Sequence, residues 1–161
     1  MFNLKAEFYL KIILLFSLIA LISAFFIEYI LGHQPCNLCL IERIPYGLSI
    51  MIIMAIFLIR KNQKFLVMLL ILTFIFSFAI SFYHFGIEQG FFQESSVCGV
   101  KSSTEIVTKE DLLKQLSEKT ISCKDVTFRI FGLSLTSINI VISLLFIITL
   151  LKIFKKYEKN K

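Results

Sequence analysis

Glycine and proline are scarce in this chain, 6 and 2 of its 161 residues, which leaves little room for a turn-rich β architecture. Charge is thin too, at 17%, and Ile12–Ile27 carries none at all. What fills the space is apolar: 57% hydrophobic residues, 18 of them phenylalanine, with a mean hydropathy of +0.83. Soluble domains sit nearer about 45–50% apolar, so this composition is built for lipid. The length suits one domain.

Four apolar stretches carry the excess. They run from about Phe8 to Ile30, Ile44 to Ile59, Phe65 to Phe85 and Leu133 to Leu151. A helix that crosses a bilayer needs about 20 mostly apolar residues. The second stretch reaches that only if Leu40 and Ile41 extend it. Runs this long far exceed strand length, so their many isoleucines do not argue for β structure. The expected fold is an all-α membrane protein, a four-transmembrane-helix bundle with spans at about 10–30, 41–59, 65–85 and 133–153. A cleaved signal peptide is the rival reading of the first stretch, with Lys5 and Lys11 ahead of an apolar core and Ser23-Ala24 as a cleavage site. Hydrophobicity continues through Phe25, Phe26 and Ile27, past where a signal peptide turns polar, and favours a span.

The net charge of +6 is a matter of placement. Ten basic residues lie in the N-terminal arm, the 60–64 turn and the tail, against only Glu7 and Glu158. The loop at 31–43 has Arg43 alone, and the six basic residues of 86–132 face seven acids. By the positive-inside rule, segments 1–9, 60–64 and 154–161 are cytoplasmic, and the loops 31–43 and 86–132 lie outside. Membrane topology thus accounts for the charge, and no nucleic-acid partner is needed.

All four cysteines fall in the two outer loops, Cys36 and Cys39 in the first, Cys98 and Cys123 in the second. An extracytoplasmic compartment is one where disulfides persist. Three pairings are possible; pairing within loops gives Cys36–Cys39 and Cys98–Cys123. The second would staple a polar loop. The first closes almost nothing and adds little loop-closure stabilisation, but C-x-x-C is the usual geometry of an exchangeable disulfide. A four-cysteine zinc site would need a second such knuckle, and Cys98 and Cys123 stand 25 apart. No metal is expected. The polar flanks of Cys98, "FFQESSVCGV", predict a sulfur accessible to an external thiol partner.

Arg43 follows Cys39 by four residues, one turn deeper on the same face if the backbone is helical. Pro45 complicates this, since it disfavours helix before it and can mark a first helical turn. Two readings stand beside each other: an anchor reaching for headgroups or for Glu42, and a fixed cation favouring the Cys39 thiolate and donating to a quinone carbonyl. His84, in the last turn of the third span with Glu88 one turn on, emerges on the same outer face. It is a candidate for quinone binding or proton handling, against the blander role of a hydrogen-bonded cap. Tyr83, Phe85, Phe91 and Phe92 read as an interface belt. In the long loop, Thr108 and Asp111 resemble an N-cap pair ahead of Leu112, Leu113 and Leu116, a short amphipathic helix lying on the bilayer or on the loop itself.

Together "PCNLCLIER", "YHFGIEQGFF" followed by "CG", and "CKDVTFRIFGLSLTSIN", in this order around four spans, resemble the disulfide bond formation protein B (DsbB) family over nearly the whole chain. The resemblance implies a thiol:quinone oxidoreductase of the bacterial inner membrane. Such an enzyme re-oxidises a DsbA-like periplasmic thiol oxidase and passes the electrons to ubiquinone or menaquinone. It further implies that Cys36 and Cys39 are the quinone-coupled pair, Cys98 and Cys123 the pair that meets the partner, and Arg43 and His84 quinone-binding residues. With no tryptophan in the chain, ring contacts to quinone fall to Phe or Tyr. DsbA-like oxidants lie near about −120 mV, so the quinone has to supply the drive. Two rivals are a reductase similar to the vitamin K epoxide reductase family, in which the C-x-x-C follows the loop pair, and a non-enzymatic stapled scaffold.

Overall fold

The computed structural model describes residues 4–59, 62–93, 98, 122–124, 129–130 and 133–159. The described elements are α1 (Leu4–Tyr29), α2 (Asn37–Leu58), α3 (Gln63–Glu88), the two-residue strands β1 (Arg129–Ile130) and β2 (Leu133–Ser134), and α4 (Leu135–Lys159). The strands form a minimal antiparallel pair, Arg129 opposite Ser134. All four helices are long and apolar enough to cross a membrane. At about 1.5 Å per residue, the shortest exceeds the roughly 30 Å hydrocarbon core. The amphipathic segment expected around Thr108–Leu116 lies outside the described residues.

The helix faces follow from sequence spacing. In α1, Ala6, Leu10, Ile13 and Ser17 are buried, while Phe8, Ile12, Leu15, Ile19, Ile22 and Phe26 point outward. Each set steps by three or four residues, one face of a helix. An outward stripe of Phe, Ile and Leu suits lipid and would be a liability in water. Helix α3 packs against both α2 and α4, and α1 lies chiefly on α2. Leu10, Ile13, Ile53, Ile56, Leu70, Phe74 and Leu150 form the centre. There the Phe74 ring meets Phe146 edge-on at 5.0 Å and Tyr46 at 6.4 Å.

Between these apolar layers the helices meet through small hydroxyl residues. Ser17, Ser49, Ser77, Ser81 and Ser143 are fully buried. Ser49 donates to Ser17 across α2 and α1 at 3.0 Å, and Ser77 and Ser143 bond across α3 and α4 at 3.2 Å. Small side chains let helix backbones approach, and in lipid their hydrogen bonds hold helices together.

Two helix ends differ from the sequence expectation. Helix α2 begins at Asn37, so Pro45 lies inside it and is buried. The cap explains the early start: Cys36 has extended backbone, and its Sγ accepts the Cys39 N–H at 3.3 Å. A bundle tolerates the missing donor of an internal proline because neighbouring groups re-satisfy the backbone. Helix α3 ends at Glu88, one turn beyond the apolar run, and Gly90 takes φ 77°. Only glycine adopts that conformation freely. It turns the chain so that the N–H groups of Phe91 and Phe92 both reach the Gly86 carbonyl. At the start of α4, Ser134 Oγ accepts the Ser137 N–H at 3.2 Å, a side-chain N-cap.

Candidate redox site

Helix α2 opens on its two sulfurs. Cys36 caps it and Cys39 sits in its first turn, so this pair belongs to the helix end and not to a free loop. Both are free thiols with Sγ atoms 2.7 Å apart, Cys36 buried and Cys39 half-buried. Cys98 and Cys123 are joined by a disulfide. All four cysteines fall in one small cluster with Leu38 and Ile87, flanked by Ile41 and Tyr83. The expectation of an accessible Cys98 is overturned. Cys98 is 3% exposed and Cys123 2%, because the bridge packs into this apolar cluster instead of standing in the polar flanks read from the sequence.

Helix α3 brings His84 to the sulfurs. Its Nε2 lies 3.6 Å from Cys36 Sγ, and its Nδ1 lies 2.9 Å from Glu42 Oε1 on α2. Glu42 in turn accepts from Asn139 Nδ2 of α4 at 3.2 Å, and Asn139 also donates to Ser81 and accepts from Tyr46. Glu88, one turn after His84, has Oε1 3.8 Å from Nε2 and accepts from Thr136 at 2.7 Å. Its other oxygen is buried with no hydrogen-bond partner among the described residues.

These contacts charge Cys36 in preference to its neighbour. Its thiol is held far below the usual range, at about 4, first by the hydrogen bond from the Cys39 thiol and then by the His84 ring; burial opposes the shift without reversing it. A thiolate is the nucleophilic form of cysteine, so the buried sulfur of the reduced pair is the activated one.

The Arg43 backbone is helical and one turn beyond Cys39, as the spacing predicted, but its guanidinium turns toward α1. It pairs with Glu28, donates to the Ala24 carbonyl at 3.5 Å, and stands 5.3 Å from the Phe25 ring centre. Glu42, the partner considered for Arg43, is bound to His84 instead. His84 is itself buried, 2% exposed, and lies against Cys36.

Sequence reasoning did not assign Glu28, Glu42, Thr136 or Asn139 to the site. One signal could have found the acids and the amide: polar residues at the ends of membrane spans are costly, and those that persist mark functional interiors. Glu28, Glu42 and Asn139 fit that description. Of the aromatic belt, Phe92 does not simply line an interface. Its ring stacks on Tyr83 at 5.7 Å and covers Gly86, where a Cβ would meet Phe92 Cδ2 at 2.1 Å.

Comparison with known proteins covers the span that holds these residues. The family model described as "Disulfide bond formation protein DsbB" matches residues 6–153. An uncharacterized protein, RP370, from Rickettsia prowazekii (strain Madrid E), is 31% identical over 152 residues, covering 93% of this chain and 88% of that one.

Proposed function

This chain belongs to the DsbB family of membrane disulfide-bond-formation proteins, and from that premise we propose that it re-oxidises a DsbA-like periplasmic thiol oxidase and delivers the electrons to membrane quinone. One observation carries the reading: a closed Cys98–Cys123 bridge and an open Cys36/Cys39 dithiol share one buried cluster. A scaffold stapled for stability has no use for a reduced pair packed beside an oxidised one.

The exchanges balance in thiols and disulfides. A partner thiolate attacks Cys98 Sγ and breaks its bond to Cys123. The freed Cys123 thiolate attacks Cys36 of a closed Cys36–Cys39 bridge and releases Cys39, while the second partner thiol resolves the mixed disulfide at Cys98. Transfer within the chain then restores Cys98–Cys123 and leaves Cys36 and Cys39 reduced. Re-forming Cys36–Cys39 liberates two electrons and two protons. Both would pass to quinone, the implied electron acceptor, to give quinol.

The residues fit such an acceptor. Cys39 is half-buried and the more exposed of the two sulfurs, so it is the one open to approach. Arg43, one turn further along α2 with the Phe25 ring against it, would be the cation to hold a carbonyl oxygen. His84 works from the other side, where Cys36 lies, and takes the thiol proton into the carboxylates of Glu42 and Glu88.

The test is turnover of purified full-length protein, in lipid, with a reduced DsbA-like substrate and either ubiquinone or menaquinone. Quinol should form in step with substrate disulfide, and Cys36→Ser should abolish both. Equal turnover by Cys36→Ser would leave only the scaffold.

A further inference from the structure

We propose that the reduced Cys36/Cys39 pair and His84 form a binding site for a thiophilic divalent cation, Zn²⁺ or Cd²⁺, whose occupancy shuts the dithiol off. The metal site stands on geometry alone; the inhibition rests on the function proposed above.

The sequence argument against zinc asked for a second C-x-x-C. Folding supplies a different third ligand. Cys36 Sγ, Cys39 Sγ and a His84 ring nitrogen all lie within 4.8 Å of one another, the histidine arriving from α3, 48 residues away. Two cysteines and a histidine are the donor set of zinc sites that keep a fourth position open. Thiolates and imidazole together favour zinc and its softer relatives over hard cations such as magnesium.

The distances are nearly right. Bonds of about 2.3 Å to sulfur and about 2.0 Å to nitrogen place tetrahedral ligands roughly 3.5–3.8 Å apart. Cys36 Sγ and His84 Nε2 already stand 3.6 Å apart. The sulfurs, at 2.7 Å, must part by about 1 Å. Cys39 is half-buried and on the helix edge, so a rotation of its side chain accomplishes that.

The outer groups are what a ligating histidine requires. Its second ring nitrogen is held by the Glu42 carboxylate at 2.9 Å, and Glu42 is steadied by Asn139. A carboxylate on the far nitrogen fixes ring orientation and raises ligand basicity. Glu88 brings a second acid to the same ring, its Oε1 3.8 Å from Nε2.

Binding needs no redox partner. Cys39 gives up its proton to join the Cys36 thiolate, both sulfurs bond to the metal, and no electrons move. A closed Cys36–Cys39 disulfide offers no thiolate, so metal and oxidation exclude each other. A sulfur bonded to the cation cannot attack a disulfide or reduce an acceptor.

The experiment is a Cd²⁺ titration of full-length protein with Cys98–Cys123 intact and Cys36/Cys39 reduced, followed by sulfur-to-cadmium charge-transfer absorbance against a competing chelator. One equivalent should bind, and none once Cys36–Cys39 is oxidised. Glu42→Gln, which keeps the size of the side chain, should weaken binding about 10–100-fold, and His84→Gln by at least that. Unchanged affinity in His84→Gln, or equal binding by the oxidised protein, overturns the site. Zn²⁺ should abolish quinone-dependent turnover and a chelator should restore it; full turnover with metal bound overturns the regulatory claim. Because absorbance is read without quinone or partner, an inactive preparation counts against the proposed function and not against the metal site.

Discussion

The imidazole of His84 is clamped to the carboxylate of Glu42, Nδ1 to Oε1 at 2.9 Å, across the α2–α3 interface. The clamp fixes which edge of the ring meets Cys36, and on the proposed function it gives a proton leaving the dithiol a charged group to move toward. Glu42→Gln preserves the shape and a hydrogen bond but removes the charge. Its turnover should fall about tenfold or more, as for other orienting partners of a working histidine, with the KM for the protein substrate unchanged. The pH profile of turnover should shift as well. A parallel loss of thermal stability with an unmoved profile would reduce Glu42 to a structural strut.

The charge on Cys36 yields a prediction in pH. Its thiol falls from an ordinary 9.0 in the unfolded chain to about 4 in the folded one. The thiolate therefore persists from neutrality down to about 4, and its ultraviolet absorbance should titrate away only there. For stability the sign is that of a depressed acid. The contribution is complete above about 9, shrinks as pH falls, and is gone below about 4. Absorbance lost near neutrality, or absorbance identical in Cys36→Ser, would contradict this assignment.

The observed ion pair of Arg43 can be separated from its proposed contact with quinone. Its ion pair with Glu28 is mostly buried, side chains 17% and 21% exposed. Removing one partner of such a pair costs about 3 kcal/mol by stranding the other. Arg43→Ala should thus lower the melting temperature and raise the KM for quinone. Adding Glu28→Gln should restore much of the stability and none of the quinone affinity. If the double variant recovers both, the arginine acts only through α1.

Gly86 leaves space for a ring. A Cβ there would sit 2.1 Å from the Phe92 side chain, so Gly86→Ala must expel the ring from its stack on Tyr83. A cost of about 1–3 kcal/mol is expected for such overpacking. The same substitution in a Phe92→Ala background should be nearly neutral. A full cost in that background would point to the α3 backbone instead.

Much of this molecule was legible before folding. The four spans follow from run length, since a stretch as long as Phe65–Phe85 in water would be insoluble and in lipid has one solution. The two cysteine pairs were legible because Cys36 and Cys39 close too small a loop to be a staple. Helix starts were less so: Pro45 left the start of the second helix open, and Cys36 caps it nine residues earlier. What the chain could not announce was pairing across helices. Arg43 has Glu42 beside it in sequence, yet finds Glu28 on α1. Glu42 meets His84 and Asn139, 42 and 97 residues away. Those choices are made by the rotation of whole helices, set by the buried serines and Phe74. The burial of Cys98 was hidden for the same reason: local polarity says nothing of an apolar cluster assembled from α2 and α3.

That burial sets a condition on who may speak to the protein. A sulfur that water barely touches is equally closed to glutathione or a stray reductant diffusing past. On the proposed function, the bridge would exchange only with a partner large enough to displace what covers the two sulfurs before any bond is exchanged. Chemical selectivity would then become a question of shape.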